Sequence, residues 1–304
     1  MGRRSALLAA LAGVLGIAAA LFVAPFYAGG RSSRAEVLRV GVLPSAAESQ
    51  LHLRYSSLLA HLSQKTGRPT QLVTTSSYEE LLNLFEEHRV DLGFFGGLTF
   101  IRAHAFFGAE PLVMRDGDKR ASTYAVVKEG GPFQDCYNFD CAGLARARLL
   151  FGPRLSTSGH LMPRHFLKAE RNMEPEASFG AVGYGEGHRA VVLAVRDGAA
   201  DVAMVNAGMF RAMLGDGVVK PGELHVIWET PPFPDSVWAV QADMDEVLKT
   251  RLRDAFLALD ASDDADASPT ESDLINSYMP AATADFASLL KIADAQGLMK
   301  RGSP

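Results

Sequence analysis

The feature that most constrains the fold is an alternation of short apolar segments with longer segments of helical spacing. Apolar segments at 37–44, 69–75 and 90–95 are separated by segments at 51–65 and 78–87 whose apolar residues recur every three or four positions. This order predicts a parallel sheet with helices on both faces, because each helix carries the chain back to the start of the next strand. The expected fold class is therefore α/β.

A second block between residues 124 and 240 repeats the alternation. Its predicted strands are 124–127, 149–151, 179–182, 202–205, 226–228 and 237–240, with a helix after 158 and another over 188–195. The tail is predicted to be helical over 245–259 and 285–299, with a solvated acidic loop at 260–266. Two doubly wound lobes place two sets of strand ends face to face, and ligands of such sheets bind at the carboxyl ends of the strands.

Three consecutive hydroxyl residues, Ser156, Thr157 and Ser158, lie between the predicted strand 149–151 and the helix after it. The first N–H groups of a helix have no partner within it, and the N-terminus carries about half a positive charge. This junction can therefore hold an anion without a lysine or a metal. The alternative is a simple helix cap by Ser156 or Thr157. The two roles are compatible, because one hydroxyl can cap while its neighbours bind a ligand.

The formal net charge, 30 − 35 = −5, argues against a polyanionic partner. Proteins that bind nucleic acid present a basic patch or stripe, so we expect no nucleic-acid partner. Any anion that this protein binds must be held by local geometry, because its overall field is weakly repulsive.

The N-terminal 1–30 segment is predicted to export the rest of the chain. Arg3 and Arg4 precede an apolar run from 6 to 28, which is about the length that spans a bilayer, with its positive charges on the cytoplasmic side. Two alternatives remain open: an uncleaved transmembrane anchor, or a signal peptide that is removed.

The sequence contains two cysteines, Cys136 and Cys141, five positions apart in a polar and aromatic loop. In an exported protein this pair favours a local disulfide. The alternative is a thiol site for a metalloid or a thiophilic metal, which two thiols without a neighbouring histidine support only weakly.

Two further residues are candidates for the cleft. A glycine-rich turn at 183–187 places His188 at a helix start, where its ring N–H could donate to an oxyanion. A proline-rich turn at 231–234 directs Asp235 towards the cleft. The alternatives are a structural histidine and an exposed loop aspartate.

Motifs for catalysis and metal binding are incomplete. Position 156, where a nucleophile elbow has glycine, is serine, so we expect no hydrolase. His160 and His165 are five residues apart and lie on different faces of a helix, which excludes a zinc-binding pair of that type. We expect no enzyme activity, no metal and no cofactor.

Several segments together resemble the phosphate, phosphite and phosphonate-binding periplasmic proteins of ABC transporters. They are 38–44, Tyr78, 90–100, 155–159, 187–195 and 231–235. The most specific are Ser-Thr-Ser-Gly at 156–159 and Gly-His-Arg-Ala-Val-Val-Leu-Ala-Val at 187–195. The resemblance implies a type II periplasmic binding fold with two crossover strands, closing on its ligand like a hinged clamp. The expected lobes are 37–123 and 124–236, and 237–304 is expected to return to the first lobe.

Seven residues match ligand-binding positions of the family: Ser156, Thr157, Ser158, His188, Tyr78, Asp235 and Thr99. The hydroxyl triplet and the imidazole match groups that hold the phosphonate oxygens. The tyrosine matches one that closes over the ligand, the aspartate matches a cleft aspartate, and the threonine matches a small hydroxyl residue after the third strand.

The chain departs from the family at two positions. Gly208 stands where members that bind aminoalkyl phosphonates carry an acid, and Ala121 stands where the family has a second tyrosine. A buried ammonium without a partner costs several kcal/mol, so we favour phosphite, methylphosphonate or phosphate as the ligand. Asp235 can accept a hydrogen bond from a P–OH group but repels a fully ionised oxygen.

The resemblance implies a periplasmic, monomeric protein that passes a small oxyanion to an inner-membrane ABC permease. The alternative is a sensing subunit of the same fold that partners a histidine kinase, with an oxyanion or arsenite as its signal. Either protein could be anchored to the inner membrane by residues 6–28.

Overall fold

The computed structural model describes residues 36–45, 48–259 and 277–301. The predicted signal or anchor at 1–30 and the predicted acidic loop at 260–266 lie outside these residues. Within the part of the chain that is described, no helix is both long enough and apolar enough to cross a membrane.

The strands form two mixed sheets, of six and five strands. The strands are β1 (Leu38–Val42), β2 (Thr70–Thr74), β3 (Leu92–Phe95), β4 (Glu110–Arg115), β5 (Thr123–Lys128), β6 (Arg148–Phe151), β7 (Ala181–Tyr184), β8 (Val202–Asn206), β9 (Leu224–Glu229), β10 (Val237–Val240) and β11 (Tyr278–Pro280). The first sheet has the order β11-β4-β10-β3-β1-β2, and the second has the order β7-β6-β8-β5-β9. In each sheet, parallel strands joined by helices are combined with a strand that crosses from the other sheet.

The helices connect and cover these strands. They are α1 (Glu48–Thr66), α2 (Tyr78–Glu86), α3 (Gly97–Phe107), α4 (Met162–Arg171), α5 (Pro175–Ser178), α6 (His188–Arg196), α7 (Ala207–Gly215), α8 (Glu246–Leu257) and α9 (Ala287–Ala295). A π-helical turn, Thr157–Leu161, leads directly into α4. Short 3-10 turns cover Asp116–Arg120, Leu144–Arg146 and Thr283–Phe286.

The chain passes from the first sheet to the second between β4 and β5, and it returns between β9 and β10. Strand β5 is antiparallel to β8, and β10 is antiparallel to β3. The two crossing segments bond to each other: Thr123 N donates to Thr230 Oγ1 (2.9 Å), and Phe233 N donates to Ala121 O (2.9 Å). The predicted α/β class with two lobes and two crossover strands is confirmed. The lobe boundaries 37–123, 124–236 and 237–304 stay a prediction.

Strand β10 lies inside the first sheet and is buried along its whole length. Trp238 packs against Phe94 and Phe256, with ring centroids 4.9 Å and 5.3 Å away. A fully buried strand reads as a continuous apolar run, which is how Val-Trp-Ala-Val at 237–240 is built. Hydrophobic packing therefore holds this returning strand in the first sheet.

Helix α3 and strands β4 and β11 of the first lobe were missing from the sequence prediction. No helix was predicted at α3, whose first seven residues, from Gly97 to Ala103, are all buried. A helix buried on all sides shows no amphipathic period. Strand β4 contains Pro111, which argues against a strand in a sequence because proline cannot donate to a neighbouring strand.

Candidate functional site

The hydroxyl triplet begins the π-helical turn Thr157–Leu161. Ser156 is its N-cap, and Gly159 N donates to Ser156 Oγ (2.9 Å). The predicted cap is therefore present. Two close glycines make this turn possible, because a Cβ added to Gly159 would lie 2.9 Å from the Cα of Gly152 and 3.0 Å from Cε1 of His188.

The π turn and Pro163 leave two carbonyls of this segment without a helical donor. Met162 N bonds to Thr157 O, one residue further back than in an α-helix, and proline has no N–H. The carbonyl of Ser158 instead accepts from Thr123 Oγ1 (2.6 Å). The carbonyl of Gly159 accepts from Gly152 N (2.8 Å). The triplet is thus tied both to the end of β6 and to the crossing strand β5.

Helix N-termini from both lobes meet at the triplet. Thr157 Oγ1 accepts from Leu98 N (2.8 Å), in the first turn of α3. A Cβ on Gly97 would lie 3.2 Å from the same oxygen and 2.9 Å from the carbonyl oxygen of Asp235, so only glycine permits this approach. His188 is the first residue of α6, and Tyr78 is the first residue of α2. Each helix adds the positive end of its dipole to the cleft.

His188 is buried, and its hydrogen bonds define its tautomer. Asn206 N lies 3.3 Å from Nδ1, and a backbone N–H can only donate, so Nδ1 is the acceptor. The ring proton is then on Nε2, which lies 3.4 Å from Ser156 Oγ. Burial lowers the pKa of His188 to about 4, so the ring is neutral at pH 7. The structure thus presents a neutral N–H donor beside the triplet.

Asp235 is buried among hydrogen-bond donors. Asn206 Nδ2 donates to its Oδ2 (3.0 Å), and the side chains of Ser158 and Thr157 and the N–H of Gly97 lie close enough to lower the pKa of this carboxyl. Burial raises the pKa of Asp235 above its ordinary value, although these hydrogen bonds act in the opposite direction. The residue is not the exposed loop aspartate of the alternative interpretation.

Tyr78 reaches the triplet from the first lobe. Its side chain is buried, and its hydroxyl lies close enough to Ser156 for that serine to act on the pKa of the phenol. Burial, together with the charge of Asp235, raises the pKa of Tyr78, so the phenol keeps its proton. Tyr78 can therefore donate or accept a hydrogen bond in the cleft.

Thr99 is fully buried in α3, and its hydroxyl donates to Gly96 O (2.8 Å). Its proton is thus used within its own helix. A Cβ on Gly96 would lie 3.7 Å from Thr99 Oγ1 and 3.6 Å from Thr157 Oγ1, so the two hydroxyls are near neighbours. Ligand binding by Thr99 stays a prediction.

Asn206 contacts three of the predicted residues but was not itself predicted from the sequence. It ends β8, caps α7, and bonds to His188, Ser158 and Asp235. A polar residue at the end of a buried strand and at a helix start is the signal that could have found it.

Cys136 and Cys141 form a disulfide with Cα atoms 5.0 Å apart. It lies by Phe139 and Trp228, in the core of the second sheet. The cysteines of the described chain are thus not free, so this form has no thiol for arsenite. The described residues also contain no group of three or more His, Cys, Asp or Glu that could hold a metal ion.

Comparisons with known proteins identify similar chains. A family model described as "ABC transporter, phosphonate, periplasmic substrate-binding protein" matches residues 40–286. The probable ABC transporter phosphite binding protein PhnD1 of Prochlorococcus marinus is 27% identical over 235 residues, covering 75% of this chain and 79% of that protein. The phosphate-import protein PhnD of Mycolicibacterium smegmatis is 25% identical over 244 residues, covering 73% and 71%. The structure of the Prochlorococcus protein in complex with methylphosphonate has a TM-score of 0.75 at 22% identity, over 86% of this chain and 98% of that one.

Proposed function

The chain belongs to the family of phosphonate-type periplasmic substrate-binding proteins of ABC transporters, and from this premise we propose that it captures a small phosphorus oxyanion between its lobes. The ligand would bind at Ser156, Thr157 and Ser158, with His188 and Tyr78 beside them. The protein would then deliver it to an inner-membrane permease. The relatives named for phosphite and phosphate binding support this class of ligand.

The observation that carries the proposal is the set of neutral donors at converging helix ends. Hydroxyls, a neutral imidazole and backbone N–H groups meet where α2, α3, α6 and the π turn begin. Such groups bind an anion through short hydrogen bonds and helix dipoles. An anion can therefore be bound although the net charge of the chain is −5.

Asp235 supports a ligand that carries a proton. A buried carboxylate repels a fully ionised oxygen but accepts a hydrogen bond from P–OH. Phosphate, phosphite and methylphosphonate offer this group as monoanions, whereas sulfate does not near neutral pH. Gly208 offers no acid to an amine, which disfavours aminoalkyl phosphonates.

We propose binding without catalysis, in keeping with a family of solute-binding proteins. The pair Ser156 and His188 resembles a nucleophile with its base, but Nε2 of the imidazole carries a proton and Nδ1 accepts from Asn206 N. The imidazole therefore has no free lone pair with which to take a proton from the serine.

We propose an ABC permease as the partner, as the family implies. The arsenite form of the signalling alternative relied on free thiols, which the disulfide removes. Sensing of an oxyanion by the same fold stays the alternative. A membrane anchor at 6–28 stays a proposal, because this segment lies outside the described residues.

A ligand panel tests the function. The purified protein is examined by thermal shift and calorimetry with phosphite, phosphate, methylphosphonate, aminoethylphosphonate, sulfate and arsenite. At about 100 times its dissociation constant, the true ligand should add about 2.7 kcal/mol to the free energy of unfolding. We expect one or more of the first three to stabilise the protein and sulfate to have no effect. If none of the phosphorus oxyanions does so, the proposal is wrong.

A further inference from the structure

Asn206 lies at the junction of β8 and α7, and its backbone conformation (φ −55°, ψ 127°) is that of a helix N-cap. Its Oδ1 accepts from Met209 N at 3.0 Å. Because the N–H of Met209 can only donate, this bond fixes which end of the amide is oxygen. The NH₂ group of Asn206 must therefore face the cleft.

This NH₂ group has one hydrogen for each of two neighbours. Nδ2 lies 3.0 Å from Asp235 Oδ2 and 3.3 Å from Ser158 Oγ. The bond to the serine uses a lone pair of its hydroxyl and leaves the hydroxyl proton for another acceptor. That acceptor is the carboxyl of Asp235 or an oxygen of a ligand.

The backbone of the same residue controls the third group. Asn206 N donates to His188 Nδ1 and keeps the ring proton on Nε2. One residue thus sets the hydrogen-bond direction of a hydroxyl, a carboxyl and an imidazole, all buried in the cleft. Its own side chain need not touch the ligand.

We propose that Asn206 is a positioning residue that gives the site its polarity: donors at Ser158 and His188, and an acceptor at Asp235. This rests on the proposed function and deepens it, because an acceptor among donors selects an oxyanion with one protonated oxygen. By donating to the carboxyl, the amide also favours its ionised, accepting form.

The test uses two variants that keep an oxygen able to cap α7. Asn206→Ser removes both N–H donors of the side-chain amide. Asn206→Asp keeps the size of the side chain but turns an oxygen towards Asp235, so two carboxyls face each other. The matched control is Asn83→Asp, which adds the same charge on an exposed face of α2.

Affinity for phosphite and phosphate is measured by calorimetry at pH 5.5 and pH 8. We expect Asn206→Ser to bind about tenfold more weakly, as for loss of one net hydrogen bond. At pH 8, Asn206→Asp should bind roughly 100-fold more weakly than the wild type. At pH 5.5, where the facing carboxyls share a proton, its affinity should be closer to that of the wild type. The control should match the wild type at both pH values.

Two titratable groups beside Asp235, His188 and Tyr78, do not change charge over this range. Burial keeps His188 neutral above about pH 4, and the raised pKa of Tyr78 keeps its phenol protonated. Asp118, whose carbonyl accepts from Asp235 N, is paired with Arg115. Phosphite and phosphate themselves lose a proton over this range, so each variant is compared with the wild type at the same pH. The recovery relative to the wild type should then be specific to Asn206→Asp.

The proposal is wrong if Asn206→Asp binds like the wild type at pH 8, or if its loss of affinity is the same at both pH values. If the wild type binds no phosphorus oxyanion, the proposed function fails, and thermal unfolding still tests the contact. Asn206→Asp should then lose stability relative to the wild type as the pH rises from 5.5 to 8, because a carboxyl with a raised folded pKa stabilises only while protonated. An unchanged difference would exclude the contact itself.

Discussion

Replacing Thr157 with valine should separate closing of the cleft from folding of the chain. Thr157 is fully buried, and its hydroxyl accepts from Leu98 N at 2.8 Å across the two lobes. It also lies close enough to Asp235 to lower the pKa of that carboxyl. Valine keeps the shape of the side chain and removes only the oxygen.

The expected cost follows from the N–H group that is left behind. A buried donor without a partner costs about 1–3 kcal/mol. In an open cleft, water can bond to Leu98 N, so this cost falls mainly on the closed form that holds the ligand. The affinity for a phosphorus oxyanion should therefore fall roughly 5- to 150-fold. Without ligand, the free energy of unfolding should fall by less than the binding free energy is weakened.

The assay is calorimetry with phosphite and phosphate, combined with urea unfolding of the ligand-free protein. Thr157→Ser is the matched control, because it keeps the hydroxyl and should stay close to the wild type. Valine binding within twofold of the wild type would show that the bond between the lobes does not contribute to ligand capture. A loss of unfolding free energy as large as the loss of binding free energy would assign Thr157 to the fold alone.

Two further predictions concern groups outside the ligand contacts. Burial lowers the pKa of His160 to about 4, whereas an unfolded histidine takes up a proton near pH 6.5. Because the unfolded state then binds more protons, the contribution of His160 to the free energy of unfolding should fall by roughly 3 kcal/mol between pH 6.5 and pH 4. His160→Gln should therefore reduce the pH dependence seen in urea unfolding, and the part due to His188 should remain. Replacing Cys136 and Cys141 together with serine should cost about 2 kcal/mol of stability, as for closure of a short loop, without weakening oxyanion binding. If calorimetry showed a large loss of oxyanion affinity in this double variant, the disulfide would have to contribute to the ligand site.

The sequence was sufficient for the parts of the site that depend on local signals. Ser156, Thr157 and Ser158 lie between a strand and a helix, and both features can be read along the chain. The cap at Ser156 and the helix starts at Tyr78 and His188 are where the spacing of apolar residues placed them. Each of these predictions needed only a few neighbouring residues.

The sequence was not sufficient for contacts between distant segments. Leu98 lies 59 residues before its partner Thr157, and Asn206 lies 29 residues before Asp235. No periodicity relates such pairs, because the two sheets and their crossing strands bring them together. The π turn also depends on local chemistry that a pattern of apolar residues does not record, namely a proline at 163 that withholds a donor.

The arrangement of charge explains how a single buried carboxylate can lie in an anion site. If the donors were lysine or arginine, Asp235 would form an ion pair with them and neutralise the site. Hydroxyls and amides surround Asp235 and carry no charge that would neutralise it. A hydroxyl or an amide has more than one hydrogen or lone pair, so it can interact with the carboxyl and still bond to a second group. The carboxylate can then remain in the cleft as the one acceptor among donors. On the proposed function, a ligand would have to match both, with ionised oxygens for the helix ends and a protonated oxygen for Asp235, and this double requirement would give selectivity without any net positive charge.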